Sequence, residues 1–172
     1  MARKISLREF QEGVVARLQG AMEAGASSIS SKLGVRVGET PWLVNLADVS
    51  EVVPLPEVVP VPLTQAWFRG VSNVRGNLYG IVDFSAFLGG EPIPPGVESR
   101  LLLINPKFSV NCGLVVNRML GLRSTSEMTP NETKAAELSW VAEEYADSAG
   151  EAWKELNMQH LVNHPNFLQV GL

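Results

Sequence analysis

Gly70-Val71-Ser72-Asn73-Val74-Arg75-Gly76-Asn77-Leu78-Tyr79-Gly80-Ile81-Val82-Asp83 holds two runs of β-branched and apolar residues on either side of Gly76-Asn77. Gly and Asn both tolerate positive φ, so the stretch predicts a β-hairpin with a tight turn and places Arg75 at its end, held by scaffold on both sides. Side chains alternate along a strand, which sets Leu78, Gly80, Val82 and Phe84 on one face and Tyr79, Ile81 and Asp83 on the other. Both faces carry apolar groups. The strand is therefore expected to be covered on each side, as in a closed or layered β architecture.

Outward from this hairpin the same pattern repeats. Leu33 to Val37 and Trp42 to Leu46 flank the turn formers Gly38-Glu39-Thr40-Pro41, and further runs cover Val49 to Val53, Arg100 to Asn105, Ser109 to Val116, Met119 to Ser124, Trp140 to Tyr145 and Ala152 to Leu156. With the two strands of the central hairpin these make ten, and no long amphipathic crossover helix separates any two of them. An all-β fold of barrels or a sandwich follows. A short terminal helix is predicted to start after the cap Asn157 and to end before Pro165. At the other end, Leu7, Phe10, Val14, Leu18 and Met22 recur at helical spacing behind a Ser6/Glu9 capping box, and the small residues from Ala24 to Ser31 read as a tether. The chain thus divides into an N-terminal helix with linker, residues 1–32, and a β domain, residues 33–172.

The 172 residues suffice for a packed core of one domain, and a composition 45% hydrophobic and 19% charged excludes a disordered chain. A net charge of −4 supplies no field for a phosphate backbone, so nucleic acid is not an expected partner. Charged residues interrupt the N-terminal region where a signal-peptide core would lie, and no apolar run reaches the roughly 20 residues of a membrane helix. Together with a single cysteine, this gives a cytoplasmic protein without direct membrane insertion as the expectation.

Catalytic centres are not visible. His160 and His164 lie four apart, yet Leu161 stands where a metalloprotease motif needs Glu, so a capping or solvated role is expected and no metal. Neither a nucleophile elbow nor a histidine within a triad pattern occurs, and Cys112 among strand residues reads as a buried thiol. No cofactor is called for. Pro54, Pro56, Pro60 and Pro62 lack the three-residue step of a docking helix and read as a stiff connection. The seven carboxylates between Glu132 and Glu155 read as a solvated face, and Trp42, Trp67, Trp140 and Trp153 as core or rim packing.

The run from Trp67 to Phe84, with its G-V-x-N-x-R-G-x-x-x-x-I-x-D-[LF] pattern, resembles the central signature of the CheW family of chemotaxis coupling proteins. The likeness extends to Val49-Ser50-Glu51-Val52 and to the stretch Gly113 to Leu122, covering roughly residues 33 to 164. The extra N-terminal helix, Ala86-Phe87-Leu88-Gly89 and Gly121-Leu122-Arg123 resemble the branch serving type IV pilus (twitching) chemosensory systems. Two positions depart from the pattern: Asn117 stands where the family commonly has Asp, and Gly80 where Pro is frequent.

The resemblance implies two five-stranded β-barrel subdomains, no enzymatic activity, and a position between a CheA-type histidine kinase and the cytoplasmic tip of a methyl-accepting chemoreceptor, in arrays at the inner membrane. It also implies that Glu51 and Arg75 form an acid and base pair beside a groove that receives receptor helices. Val49, Val52, Gly113 and Met119 match groove-facing positions, with Gly113 permitting close approach. A rival reading is a ligand-binding barrel that uses Trp67, Tyr79 or Trp140 as a stacking platform for a sugar or nucleotide base.

Overall fold

The computed structural model describes residues 31–131 and 139–172. The expected helix over residues 7–22, its tether, and the first part of the acid-rich stretch lie outside the described residues.

All ten predicted strands are present: β1 (Ser31–Val37), β2 (Thr40–Asn45), β3 (Val49–Pro54), β4 (Phe68–Val74), β5 (Asn77–Asp83), β6 (Arg100–Ile104), β7 (Cys112–Val116), β8 (Arg118–Ser124), β10 (Val141–Ala146) and β11 (Ala152–Leu156). The additional β9 (Thr129–Pro130) is two residues long, too short to leave a period in the sequence. The run beginning at Ser109 pairs only from Cys112, because Pro106–Phe108 form a 3-10 turn that ends on Ser109 at φ 59°. Asn157 caps the helix Met158–Asn163 by accepting from His160 N at 3.0 Å. A further short helix, Pro165–Leu168, was not foreseen; proline at its first turn and a cap from His164 start it.

The strands form two sheets, a five-stranded one in the order β3-β6-β7-β5-β4 and a six-stranded one in the order β8-β1-β2-β11-β10-β9. Each is closed by the continuation of its own edge strand. Beyond β3 the chain turns back so that Val59 and Val71 exchange hydrogen bonds of 2.8 and 2.9 Å along β4, the opposite edge. Beyond β8 it runs into β9, which pairs with β10. Closure removes the exposed edges that would otherwise template pairing with other chains.

Three apolar clusters follow from strand alternation. Ile81, Leu101, Leu103 and Val115 fill the five-stranded barrel, with Ile93 from the following loop as a plug. Leu43, Tyr145 and Trp153 fill the six-stranded one. The intervening positions, among them Val82, Phe84, Leu102, Leu114 and Val116 on one side and Val35, Trp42 and Val44 on the other, meet in a large cluster between the barrels. The prediction that β5 is covered on both faces holds for its C-terminal half, where Ile81 lies inside its barrel and Val82 packs between the two, whereas Leu78 near the turn is 60% exposed.

Candidate partner-binding site

The turn that carries Arg75 differs by one residue from expectation. Val74 pairs with Asn77, so Arg75 and Gly76 are the two loop residues, at φ 53° and 84°, and Asn77 already belongs to β5. Positive φ at both positions is the type I′ pattern, which matches the twist of the flanking strands. The Asn73 side chain supports it by accepting from Gly76 N at 2.9 Å. Arginine in this region carries a steric cost that glycine or asparagine would avoid, a placement common where a side chain has a task.

Arg75 reaches across the barrel seam to Glu51 on β3. Its Nη1 donates to Oε2 at 3.0 Å and its Nη2 lies 2.5 Å from Oε1, a bidentate pair. Since β3 and β4 are opposite edges of the sheet, the pair straps the two edges together. The Arg75 side chain remains 71% exposed and that of Glu51 30%, so the pair adds only about 0–1 kcal/mol to stability. What it fixes is direction: a planar donor fork is held facing solvent with its free N–H groups available.

A register shift between Val49 and Glu51 divides β3. Strict alternation would put Val49 and Val53 on one face, yet Val49 packs against the cluster between the barrels and Val53 against the barrel interior. Val52 points outward and is 37% exposed. Met119, opposite Val35 on β8, is half-buried against the cluster between the barrels, so Val49 and Met119 border the same apolar layer from the two sheets. Gly113 is different. It is buried on β7, and a Cβ there would lie 2.6 Å from Leu101 Cδ1. Its missing side chain makes room for Leu101 inside the barrel, not for a partner's helix.

The structure therefore brings Glu51 and Arg75 into contact, leaves Val52 exposed on the other face of β3, places Val49 and Met119 at the junction of the barrels, and sets Gly113 beneath the surface. One group escaped sequence reading. Asp83, 1% exposed, accepts from Arg69 Nε at 3.1 Å and from Arg69 Nη2 at 2.5 Å. It also accepts from Ile93 N at 2.8 Å and Ala86 N at 3.0 Å, while Arg69 donates to the Ile93 carbonyl. It thus caps the short helix Phe84–Phe87, anchors the Ile93 plug and pins the base of the hairpin that presents Arg75. An aspartate directly before a helical turn was the available signal.

The histidines engage backbone: His160 Nδ1 lies 2.8 Å from the Ser139 carbonyl oxygen, and His164 Nδ1 accepts from Asn166 N at 3.1 Å. Of the three proposed stacking platforms, Tyr79 packs within the first barrel, whereas Trp67 and Trp140 border one cleft.

Burial pushes the Cys112 thiol up to about 12 from its ordinary 9.0. The folded state then resists ionisation where the unfolded chain gives up its proton, so the contribution is fully present below pH 9.0 and declines as pH rises above it. Iodoacetamide at pH 8 should label Cys112 in urea and spare it in buffer; rapid labelling of native protein, read by mass spectrometry, would contradict this burial.

The model of the CheW-like domain matches residues 32–165. Protein PilI of Pseudomonas aeruginosa is 28% identical over 163 residues, 91% of this chain and 89% of its own length. Chemotaxis protein CheW of Rhizobium meliloti is 33% identical over 95 residues, 55% of this chain and 61% of its own. The scaffolding protein TtCheW from Thermoanaerobacter tengcongensis superposes with a TM-score of 0.65 at 15% identity, over 80% of this chain and 95% of that one. A signature hairpin ending on an exposed arginine, two closed barrels around a shared apolar layer, and a family match across nearly all described residues lead to one assignment: the chain belongs to the CheW-like domain family.

Proposed function

We propose that this protein is a non-enzymatic chemosensory coupling adaptor, linking a CheA-type histidine kinase to the cytoplasmic tip of methyl-accepting chemoreceptors in type IV pilus twitching motility. The observation that carries the reading is Arg75: exposed, held at positive φ in a two-residue turn, and oriented by a bidentate carboxylate. A cation fixed this way on a rigid barrel recognises a partner's acceptors with little ordering cost. Exposed Val52, which faces the same side of β3 as the layer between the barrels, together with Val49 and Met119 at the barrel junction offers apolar area for a helix face, and Gly113 acts from below by allowing Leu101 to fill the barrel. Likeness to PilI along most of both chains supports the twitching branch. Among the described residues no helix is long and apolar enough to cross a membrane, which suits a cytoplasmic adaptor recruited to receptor arrays at the inner membrane.

The test is co-purification with the cognate kinase and receptor tip. Arg75→Ala is expected to weaken capture of at least one partner by about tenfold or more, the fold-change of one lost charge-assisted contact. The melting temperature should move by only a few degrees, because an exposed pair contributes about 0–1 kcal/mol. Undiminished capture by Arg75→Ala, or capture of neither partner by the unmodified protein, would overturn the reading.

A further inference from the structure

Each sheet turns one bulged strand toward the layer between the barrels, and the two strands are built alike. On β3 the extra residue Ser50 brings Val49 and Val52, three residues apart, to one side, opposite Ile104 and Leu102 of that layer. On β8 the extra residue Leu120 does the same for Met119 and Leu122, which pair with Val35 and Leu33 of the same layer. An unbroken strand would send residues three apart to opposite faces. Both bulges therefore extend the apolar layer to its rim, where Val52 is 37% and Leu122 44% exposed.

The point where the chain joins this rim indicates what covers it. The described residues begin at Ser31, which pairs with Ser124 on β8, two residues past Leu122. β1 also touches the 3-10 turn Leu46–Asp48 that leads into Val49. The thirty residues before Ser31 contain Leu7, Phe10, Val14, Leu18 and Met22, whose spacing predicts an apolar helical face about 24 Å long. Such a face needs an apolar partner. Residues 23–30 reach about 30 Å when extended, enough to fold the stripe back over the rim. A tether of this length holds the stripe at an effective concentration on the order of millimolar, so modest apolar area suffices to keep it in place.

We propose that the segment Leu7–Met22 docks its apolar face, within the same chain, on the rim formed by Val49, Val52, Met119 and Leu122, and that a partner's helix must displace it to enter. The docking needs no partner; the displacement rests on the adaptor reading.

The full-length protein carrying Val14→Cys and Leu122→Cys is treated, dilute, with a short bismaleimide; the native Cys112 is buried and does not compete. Mass spectrometry is expected to find positions 14 and 122 joined within one chain. Adding Phe10→Glu and Leu18→Glu should cut the yield about tenfold or more, because two apolar anchors are lost while the tether stays. A control pair, Val14→Cys with Leu63→Cys, should join about tenfold less often. Leu63 is 80% exposed, but it lies against the C-terminal residues, where Leu172 N donates to its carbonyl oxygen at 3.0 Å. No product, a yield unchanged by the second pair of substitutions, an equal yield at position 63, or a product that joins only separate chains overturns the docking. In co-purification, Phe10→Glu/Leu18→Glu alone should capture the receptor tip about tenfold more tightly than the unmodified protein, since the open groove no longer has to be vacated. Unchanged capture overturns the displacement. A receptor tip captured by neither form, with the cross-link intact, supports the docking and sinks the adaptor reading instead.

Discussion

Asp83→Ala is expected to destabilise the protein by about 3–5 kcal/mol, the usual cost of removing one partner from a buried ion pair. The carboxylate is 1% exposed and accepts four hydrogen bonds, from two nitrogens of Arg69 and the backbone N–H groups of Ala86 and Ile93. Truncation leaves a partly buried guanidinium without a counter-charge and two amides without acceptors, and the space available is too enclosed for bulk water to replace them all. Set against a typical domain stability of about 5–15 kcal/mol, this is a large fraction of the whole. The urea unfolding midpoint measures it. Replacing Arg69 by methionine together with Asp83→Ala should recover part of the loss, because the stranded charge goes with its partner. A shift below about 1 kcal/mol in the single variant would mean that the clamp does not hold the hairpin base.

Gly70→Ala should cost a comparable amount, about 3–5 kcal/mol, by a different route. Gly70 sits at φ 133°, a region that side chains with a Cβ rarely enter, and an added Cβ would lie 2.0 Å from the Val59 carbonyl oxygen and 2.9 Å from Pro60 Cα. Neither neighbour is a flexible side-chain end. To make room, the segment carrying Val59 must leave β4 and give up the two hydrogen bonds that close the barrel. Gly76→Ala is the matched comparison: its φ is 84° but nothing lies within 4 Å of the added carbon, so only the backbone term of about 1 kcal/mol remains. Equal effects at the two glycines would show that backbone strain, not the contact across the seam, sets the penalty at Gly70. Loss of native amide-exchange protection at Val59 and Val71 in Gly70→Ala would locate the damage directly.

Period-two patterning carried most of the fold because each barrel strand separates two apolar environments, and alternating residues such as Ile81 and Val82 record both. Turn chemistry was legible to within one position: Gly76 was placed in the loop, but Asn77 was favoured over Arg75 for the second positive φ, since asparagine tolerates it better. Arginine there contradicts local preference. What remained hidden depends on contacts between distant residues. The parallel pairing of β5 with β7 and of β2 with β11, and the return of Val59 to β4, leave no local pattern. Gly113 was read as a surface concession to a partner because its need for smallness is satisfied by Leu101, on a different strand. Asp83 was one carboxylate among many until the fold placed Arg69 and Ile93 around it.

The order in which the barrels use the chain has a consequence for biosynthesis. β3 through β7 form one uninterrupted block, so the first barrel has every strand it needs once that block has left the ribosome. The other is assembled from β1 and β2 together with β8 through β11, and Trp42 finds its neighbour Lys154 only once β11 has been made. The domain therefore matures from its middle outward, with the β1–β2 hairpin waiting for β8 and β11 until both have emerged.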